Sequence, residues 1–289
     1  MPDPTRLLNT LHKAIQACRD TPGRQGRFVE IDHVSDCLVV GDLHGHIGNF
    51  RKVLEVAQLA QHPHRHLVVQ ELIHSQEAYP EGGDISHRLV DLWAALKCQF
   101  PERVHYLLGN HELSQWTERA ISKNNLDLNQ FFFLGISTAY GEHAEAIYTA
   151  YKELFAALPV ALRLPNRVFL SHSLPNTQRL ETWELAALMS EIVTNETISM
   201  GGAIHSVVWG RDLAEVNAAS YLAKVGADLL VSGHIPCQGH LAPNSRQLIL
   251  DSKDEHACLC WIPCDRALTH ADLLAGLIPL YPPQEMTES

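Results

Sequence analysis

Cys37-Leu38-Val39-Val40-Gly41-Asp42-Leu43-His44-Gly45-His46 is the stretch around which the rest of the chain is organised. A short apolar run, the length of a buried strand, breaks off into glycines, a carboxylate and two imidazoles, so polar donors are delivered at a strand's C-terminal edge. Open α/β sheets bind their ligands at that edge. If the chain stays extended, Asp42 and His44 leave it on the same face, one hard oxygen beside one imidazole nitrogen. That is half of a metal site, and its competitor is a plain Gly-Asp turn. The second half has to come from elsewhere in the chain.

Working outward, the same unit recurs. Ile47, Phe50, Leu54 and Ala57 repeat at helical spacing and predict an amphipathic helix laid back over the sheet. His66-Leu67-Val68-Val69-Gln70 predicts the next strand, delivering Glu71 and His74 at its end. After a loop containing Pro80, Gly82 and Gly83, Asp84 or Ser86 is expected to open a helix carrying Leu89, Trp93 and Leu96. Arg103 to Leu108 predicts a third strand, ending in Gly109-Asn110-His111-Glu112. Strands alternating with helices predict an α/β fold with a parallel core. Upstream, Thr5 is the expected cap of a helix carrying Leu8, Leu11, Ile15 and Cys18.

Downstream, a helix is expected over Glu142 to Leu158, then a hairpin of Val160 to Leu164 with Val168 to Ser171, ending at His172. The segments Ser75 to Gly83 and Asn124 to Gly141 read as loops. A helix around Val216 to Val225 stops at Gly226, and Asp228 to Ser232 predicts a buried strand that delivers His234. Gln247 to Asp251 and Ala257 to Ile262 read as a closing hairpin about Lys253-Asp254-Glu255, and the tail after Pro282 as loosely ordered. The expected organisation is a single domain over residues 1–289 with its core at about 35–264.

Bulk properties remove several function classes. With 22 Lys and Arg against 33 Asp and Glu the net charge is -11, which argues against a nucleic-acid backbone or an anionic membrane as partner. Seven cysteines, an odd number, without paired C-x2-C spacing read as reduced thiols and not as a disulfide framework. No leader-like segment and no apolar run near the ~20 residues of a membrane span is present, so a cytoplasmic location is expected. Eighteen histidines are many for this length, and those at strand ends matter most.

Five strand ends therefore carry donors: Asp42 with His44, Glu71 or its neighbours, Asn110 with His111, His172, and His234. Oxygen and imidazole donors without thiolates suit a pair of divalent cations such as Mn, Fe or Zn.

Gly41-Asp42-Leu43-His44-Gly45, Gly109-Asn110-His111-Glu112, Ser171-His172-Ser173-Leu174-Pro175, Trp209-Gly210-Arg211 and Ser232-Gly233-His234 together resemble the motifs of the calcineurin-like metallophosphoesterases, in their phosphoprotein phosphatase branch, and occur in family order. The resemblance implies a four-layer α/β/β/α sandwich with two metals between the sheets. It also implies that Asp42, His44, Asn110, His172 and His234 are metal ligands, that His111 donates a proton, and that Arg211 grips phosphate.

The second family motif is altered. The family carries Gly-Asp-x-x-Asp-Arg-Gly, which supplies a bridging carboxylate, an acid that orients the catalytic histidine, and a phosphate arginine. Aligning Gln70 to Ser75 puts Glu71 in the bridging place, His74 in the orienting acid's place and Ser75 in the arginine's. The rival register uses Gly83-Asp84-Ile85-Ser86-His87-Arg88. Glu71 is preferred because it follows an apolar strand, whereas Asp84 better suits a helix cap. In either register the orienting acid has become a histidine.

The resemblance thus implies a metal-dependent phosphoesterase, Ser/Thr protein phosphatase-like, acting through a metal-activated water on a phosphorylated protein or a small phosphate ester. Two alternatives remain open. One is a degenerate module that binds metal and a phosphoprotein without turnover; the other is a dinucleoside polyphosphate hydrolase.

Overall fold

The structure is a computed structural model that describes residues 3–123 and 125–281, so Asn124 and the tail after Pro282 lie outside the described residues. The strands in chain order are β1 (Arg24–Gln25), β2 (Phe28–Glu30), β3 (Asp36–Asp42), β4 (Arg65–Gln70), β5 (Val104–Leu107), β6 (Ser122–Lys123) and β7 (Leu126–Asp127). They continue with β8 (Ala161–Arg163), β9 (Val168–Ser171), β10 (Leu229–Ser232), β11 (His240–Asn244), β12 (Gln247–Leu250), β13 (Cys258–Pro263) and β14 (Leu277–Pro279).

Two mixed sheets form the centre. One runs β14-β13-β3-β4-β5, with β3, β4 and β5 mutually parallel; the other runs β1-β2-β8-β9-β10-β12-β11. The two-residue side-chain period of β3 explains the layering. Cys37 and Val39 face one apolar core, shared with Leu170, Val231 and Leu250 of the other sheet. Leu38 and Val40 face the opposite way, into the core made with helical residues such as Phe50, Val53 and Trp93. A strand covered on both faces needs a continuous apolar run, and this requirement is what made the stretch legible. The sheets are thus sandwiched between helical layers, the α/β/β/α arrangement expected.

The helices Ile47–Ala57 and His87–Gln99 form where helical periodicity places them. The first is capped by the His46 side chain, whose Nδ1 accepts from the Asn49 N–H at 3.0 Å. The β8–β9 hairpin also forms as expected.

Four local expectations are corrected. The first helix, Pro4–Arg19, is capped by Asp3, whose Oδ1 accepts from the N–H groups of Thr5 and Arg6; Thr5 lies inside the helix. Within the supposed loop Asn124 to Gly141, Leu128–Tyr140 is a helix capped by Asp127. Its phenylalanines lie on more than one side, which blurs the periodic signal. The expected helix from Glu142 starts at Ala144, after a 3-10 turn over Gly141–His143.

The fourth correction bears on the site. Gln247 to Asp251 and Ala257 to Ile262 are not a hairpin. β12 runs parallel to β10 in one sheet, while β13 runs antiparallel to β3 in the other. Both are apolar, so pattern alone cannot tell which sheet takes each. The chain crosses between sheets at Asp251 and Ser252, pinned to β3 by the Ser252 N–H on the Asp42 carbonyl (2.9 Å) and the Gly41 N–H on Ser252 Oγ (3.0 Å).

Candidate metal centre

The C-terminal ends of β3, β4, β9 and β10, with the first turn of the helix Asn110–Thr117, converge at one edge of the sandwich. Asp42, His44 and Glu71 form one group of donor atoms mutually within 4.8 Å, and Glu71, His172 and His234 form another. Glu71 belongs to both. Its Oε2 is 2.6 Å from His172 Nε2, and its Oε1 is 3.2 Å from His111 Nε2. Asn110 Oδ1 lies 3.0 Å from His172 Nε2 and 2.8 Å from His234 Nδ1.

The local backbone is forced into this shape. His44, Glu71, His74 and His234 all have positive φ, between 42° and 69°. Each such residue costs on the order of 1–3 kcal/mol and persists only where its surroundings over-determine it. Here the Glu71 carbonyl accepts from the N–H groups of both Leu43 and His44, each at 3.0 Å. Glu112 Oε1 accepts from Tyr106 Oη (2.5 Å), Leu72 N (3.1 Å) and Ile73 N (3.3 Å), fastening the turn that carries Glu71 and His74.

Two motif glycines are close-approach positions. A Cβ on Gly233 would lie 2.2 Å from Asp42 Oδ1, and one on Gly109 would lie 2.5 Å from Glu112 Oε2. Any larger residue would push the carboxylates out of place.

The histidines are held by their outer nitrogens. His44 Nδ1 contacts the Ile73 carbonyl at 2.9 Å. His172 Nδ1 meets Gln70 Oε1 at 3.0 Å, and the Gln70 amide nitrogen donates to the Val40 carbonyl at 3.2 Å. Such contacts fix ring orientation and tautomer, as they do behind metal-bound imidazoles.

Burial drives the electrostatics. Asp42 and Glu71 are pushed well above the usual carboxylate range, first by desolvation and then by neighbouring carboxyl groups, with the Arg211 charge opposing this at Glu71. Desolvation also lowers His172, and it takes His234 down to about 2, so both imidazoles are neutral and have lone pairs to offer. Glu71 Oε1 is buried without a hydrogen-bond partner. A buried, unsatisfied carboxylate oxygen among neutral imidazoles and an amide oxygen is a donor set that could hold a metal ion.

The rival carboxylate is committed elsewhere. Asp84 Oδ1 accepts from Ser75 N (3.2 Å) and Ser86 N (2.8 Å), while Oδ2 accepts from Ser86 Oγ (2.7 Å). It closes the loop after His74, and burial raises its pKa to about 6. Ser86, not Asp84, stands at the helix N-cap position, although its side chain makes no capping bond.

Arg211 is exposed beside the centre, with its N–H on Asn176 Oδ1 at 3.0 Å, and its charge depresses His172 and His234 behind the larger effect of burial. His111 packs edge-on to His44, with ring centroids 5.3 Å apart. Its Nδ1 meets His74 Nδ1, and His74 Nε2 meets Gln115 Oε1 at 3.0 Å. Gln70, Glu112 and Gln115 were not singled out from sequence. Only Glu112, inside a quoted motif, carried a signal.

The sequence pattern of the calcineurin-like phosphoesterases matches residues 36–238. The chain belongs to that family. Among relatives, it is 24% identical over 224 residues to a probable serine/threonine-protein phosphatase of Encephalitozoon cuniculi, covering 71% of this chain and 44% of that protein. It is 26% identical over 151 residues to a PP2A-like serine/threonine-protein phosphatase of Candida albicans, covering 51% of this chain and 31% of that protein. The chain therefore spans less than half the length of these curated relatives.

The same calcineurin-like fold appears in a Saccharomyces cerevisiae protein serine/threonine phosphatase with similarity to human PP5. That structure matches at TM-score 0.65 and 15% identity, over 96% of this chain and 88% of that one. A cold-active protein-tyrosine phosphatase of Shewanella matches at TM-score 0.58 and 13% identity, over 85% and 78% of the two chains. All seven cysteines are free thiols, and no helix among the described residues is long and apolar enough to cross a membrane.

Proposed function

We propose that the chain is a metal-dependent phosphoesterase acting on phosphoproteins. The observation that carries this reading is Glu71, the one buried carboxylate common to two donor groups that otherwise comprise an aspartate and three imidazoles. Asp42, His44 and Glu71 would hold one cation, and Glu71, Asn110, His172 and His234 a second. When bound, divalent cations supply Lewis acidity toward phosphoryl oxygens and bring the pKa of water toward neutrality.

The chain's own groups supply the rest. Gln70 orients His172 from behind and Ile73 orients His44, so the donor set is preorganised before anything binds. The Arg211 guanidinium, exposed and without an ion pair among the described residues, would offset charge on the phosphate. His111 Nε2, beside Glu71, would take up the proton released by the attacking water and hand it on to the leaving oxygen.

Phosphoprotein substrates are favoured by the sequence relatives, which are a probable serine/threonine-protein phosphatase and a PP2A-like serine/threonine-protein phosphatase. One observation favours binding without turnover: a neutral histidine stands behind His111 where the family carries an acid. Metal analysis of the purified protein, combined with hydrolysis assays on aryl phosphate, phosphopeptides and dinucleoside polyphosphate, tests the proposal. Two equivalents of metal with phosphopeptide turnover is the expected result. Metal without turnover on any substrate selects the binding module.

A further inference from the structure

The hydrogen bonds behind His111 determine where its proton sits. Gln115 lies on the same short helix, one turn after His111, and is fully buried. Its amide nitrogen reaches the Asn129 carbonyl at 3.4 Å and Tyr148 Oη at 2.8 Å. A carbonyl only accepts, so the NH2 side of the amide must face Asn129, and Gln115 Oε1 is left facing His74 Nε2 at 3.0 Å.

An amide oxygen also only accepts, so Nε2 is the nitrogen of His74 that carries hydrogen. No carboxylate among the described residues forms an ion pair with His74 to hold a second proton on the ring. Its Nδ1 is therefore a lone pair, and the Nδ1 of His111 facing it must donate. His111 Nε2 is left bare beside Glu71 Oε1.

We propose that His74 and Gln115 are positioning residues that form a neutral relay, Asn129 carbonyl to Gln115 to His74 to His111, which fixes His111 as the Nδ1–H tautomer and presents a bare Nε2 to the metal centre. The relay does for tautomer and ring angle what a carboxylate would do, without placing a negative charge behind the imidazole. A mis-set tautomer in a catalytic histidine costs up to about 10⁴ in turnover. This deepens the proposed function and rests on it only for the kinetic part of its test.

The first arm needs no activity. In the metal-free protein at neutral pH, ring ¹⁵N shifts should show protonated Nδ1 and bare Nε2 for His111, and protonated Nε2 with bare Nδ1 for His74. In Gln115→Leu both rings should become tautomer mixtures, whereas Gln115→Glu sets beside His74 Nε2 a carboxylate able to hold a second proton on that ring, so His74 Nδ1 should become protonated and the His111 proton should move to Nε2. Thermal unfolding of each variant establishes that it folds, and should Gln115→Leu fail to fold, the wild-type shifts alone decide. A wild-type His111 protonated at Nε2 overturns the relay.

The second arm is kinetic, on holoenzyme with a phosphoserine peptide. Gln115→Leu should lower kcat about 10- to 100-fold with KM and metal stoichiometry unchanged. A loss that tracks metal loss, or a Gln115→Leu variant that keeps the wild-type kcat, reduces Gln115 to a packing role and overturns the proposal. An inactive wild type with the predicted ¹⁵N pattern would sink the enzyme reading and leave the relay standing.

Discussion

Replacing Glu71 with glutamine removes one negative charge, keeps the side-chain shape, and should cost metal while sparing the fold. Glu71 Oε2 is 2.6 Å from His172 Nε2, so a cation held by that imidazole lies within a few ångströms of the carboxylate. A unit charge pair about 4 Å apart at an effective dielectric of about 20 is worth ~4 kcal/mol. That corresponds to roughly a thousandfold in affinity, a floor for a divalent ion. Because Glu71 is common to both donor groups, bound metal should fall from two ions toward one, and hydrolysis should be abolished.

The metal-free protein should respond in the opposite direction. Burial holds the Glu71 pKa well above its ordinary value of 4.5, so between those values the native state binds more protons than the unfolded state. Stability of the stripped wild type therefore falls as pH rises through that window, and Glu71→Gln removes this contribution. Metal analysis after gel filtration, with thermal melts at pH 5 and pH 8 in chelator and in excess Mn, reads both effects. The variant should match or exceed the wild type in chelator at pH 8, and lose most of the Mn-induced rise in Tm. Retention of two tightly bound ions in Glu71→Gln would refute the reasoning. If Asp84→Asn lost metal instead, the rival register would hold and Arg88 would become the phosphate cation.

Otherwise Asp84→Asn should leave both ions in place. It removes a carboxyl whose pKa burial raises from 3.8 to about 6, so its Tm should exceed the wild type's at pH 8, with the gain vanishing toward pH 4. Gln70→Leu releases His172 Nδ1 and should weaken metal binding about 10- to 100-fold by titration calorimetry, with no new requirement for leaving-group protonation. His111→Ala should keep its metal and lose about 10² to 10⁴ in kcat on a phosphoserine peptide, but much less on nitrophenyl phosphate, whose leaving group departs without a proton. Equal losses on both substrates would remove His111 from the proton-transfer role.

The chain by itself determined the strands, because a strand buried on both faces must be apolar along its length, and β3, β4, β5 and β10 each announce themselves this way. It also determined the donors, since each of those runs breaks into residues that a core would not accept. Sequence could not say why Gly109 and Gly233 are glycines: the carboxylates that would collide with a Cβ come from Glu112 across a turn and from Asp42, 191 positions from Gly233.

Tertiary structure alone decided which carboxylate lies among the imidazoles. Glu71 and Asp84 both follow β4, and they separate only because the loop between them folds back so that Asp84 spends its oxygens on Ser75 and Ser86. It decided likewise that β12 and β13 enter different sheets, and that Gln70 and Gln115 stand behind His172 and His74. An apolar pattern reports that a segment is buried, but not against what. A buried glutamine's partner is chosen by packing between residues as far apart as Gln70 and His172, which no local period encodes.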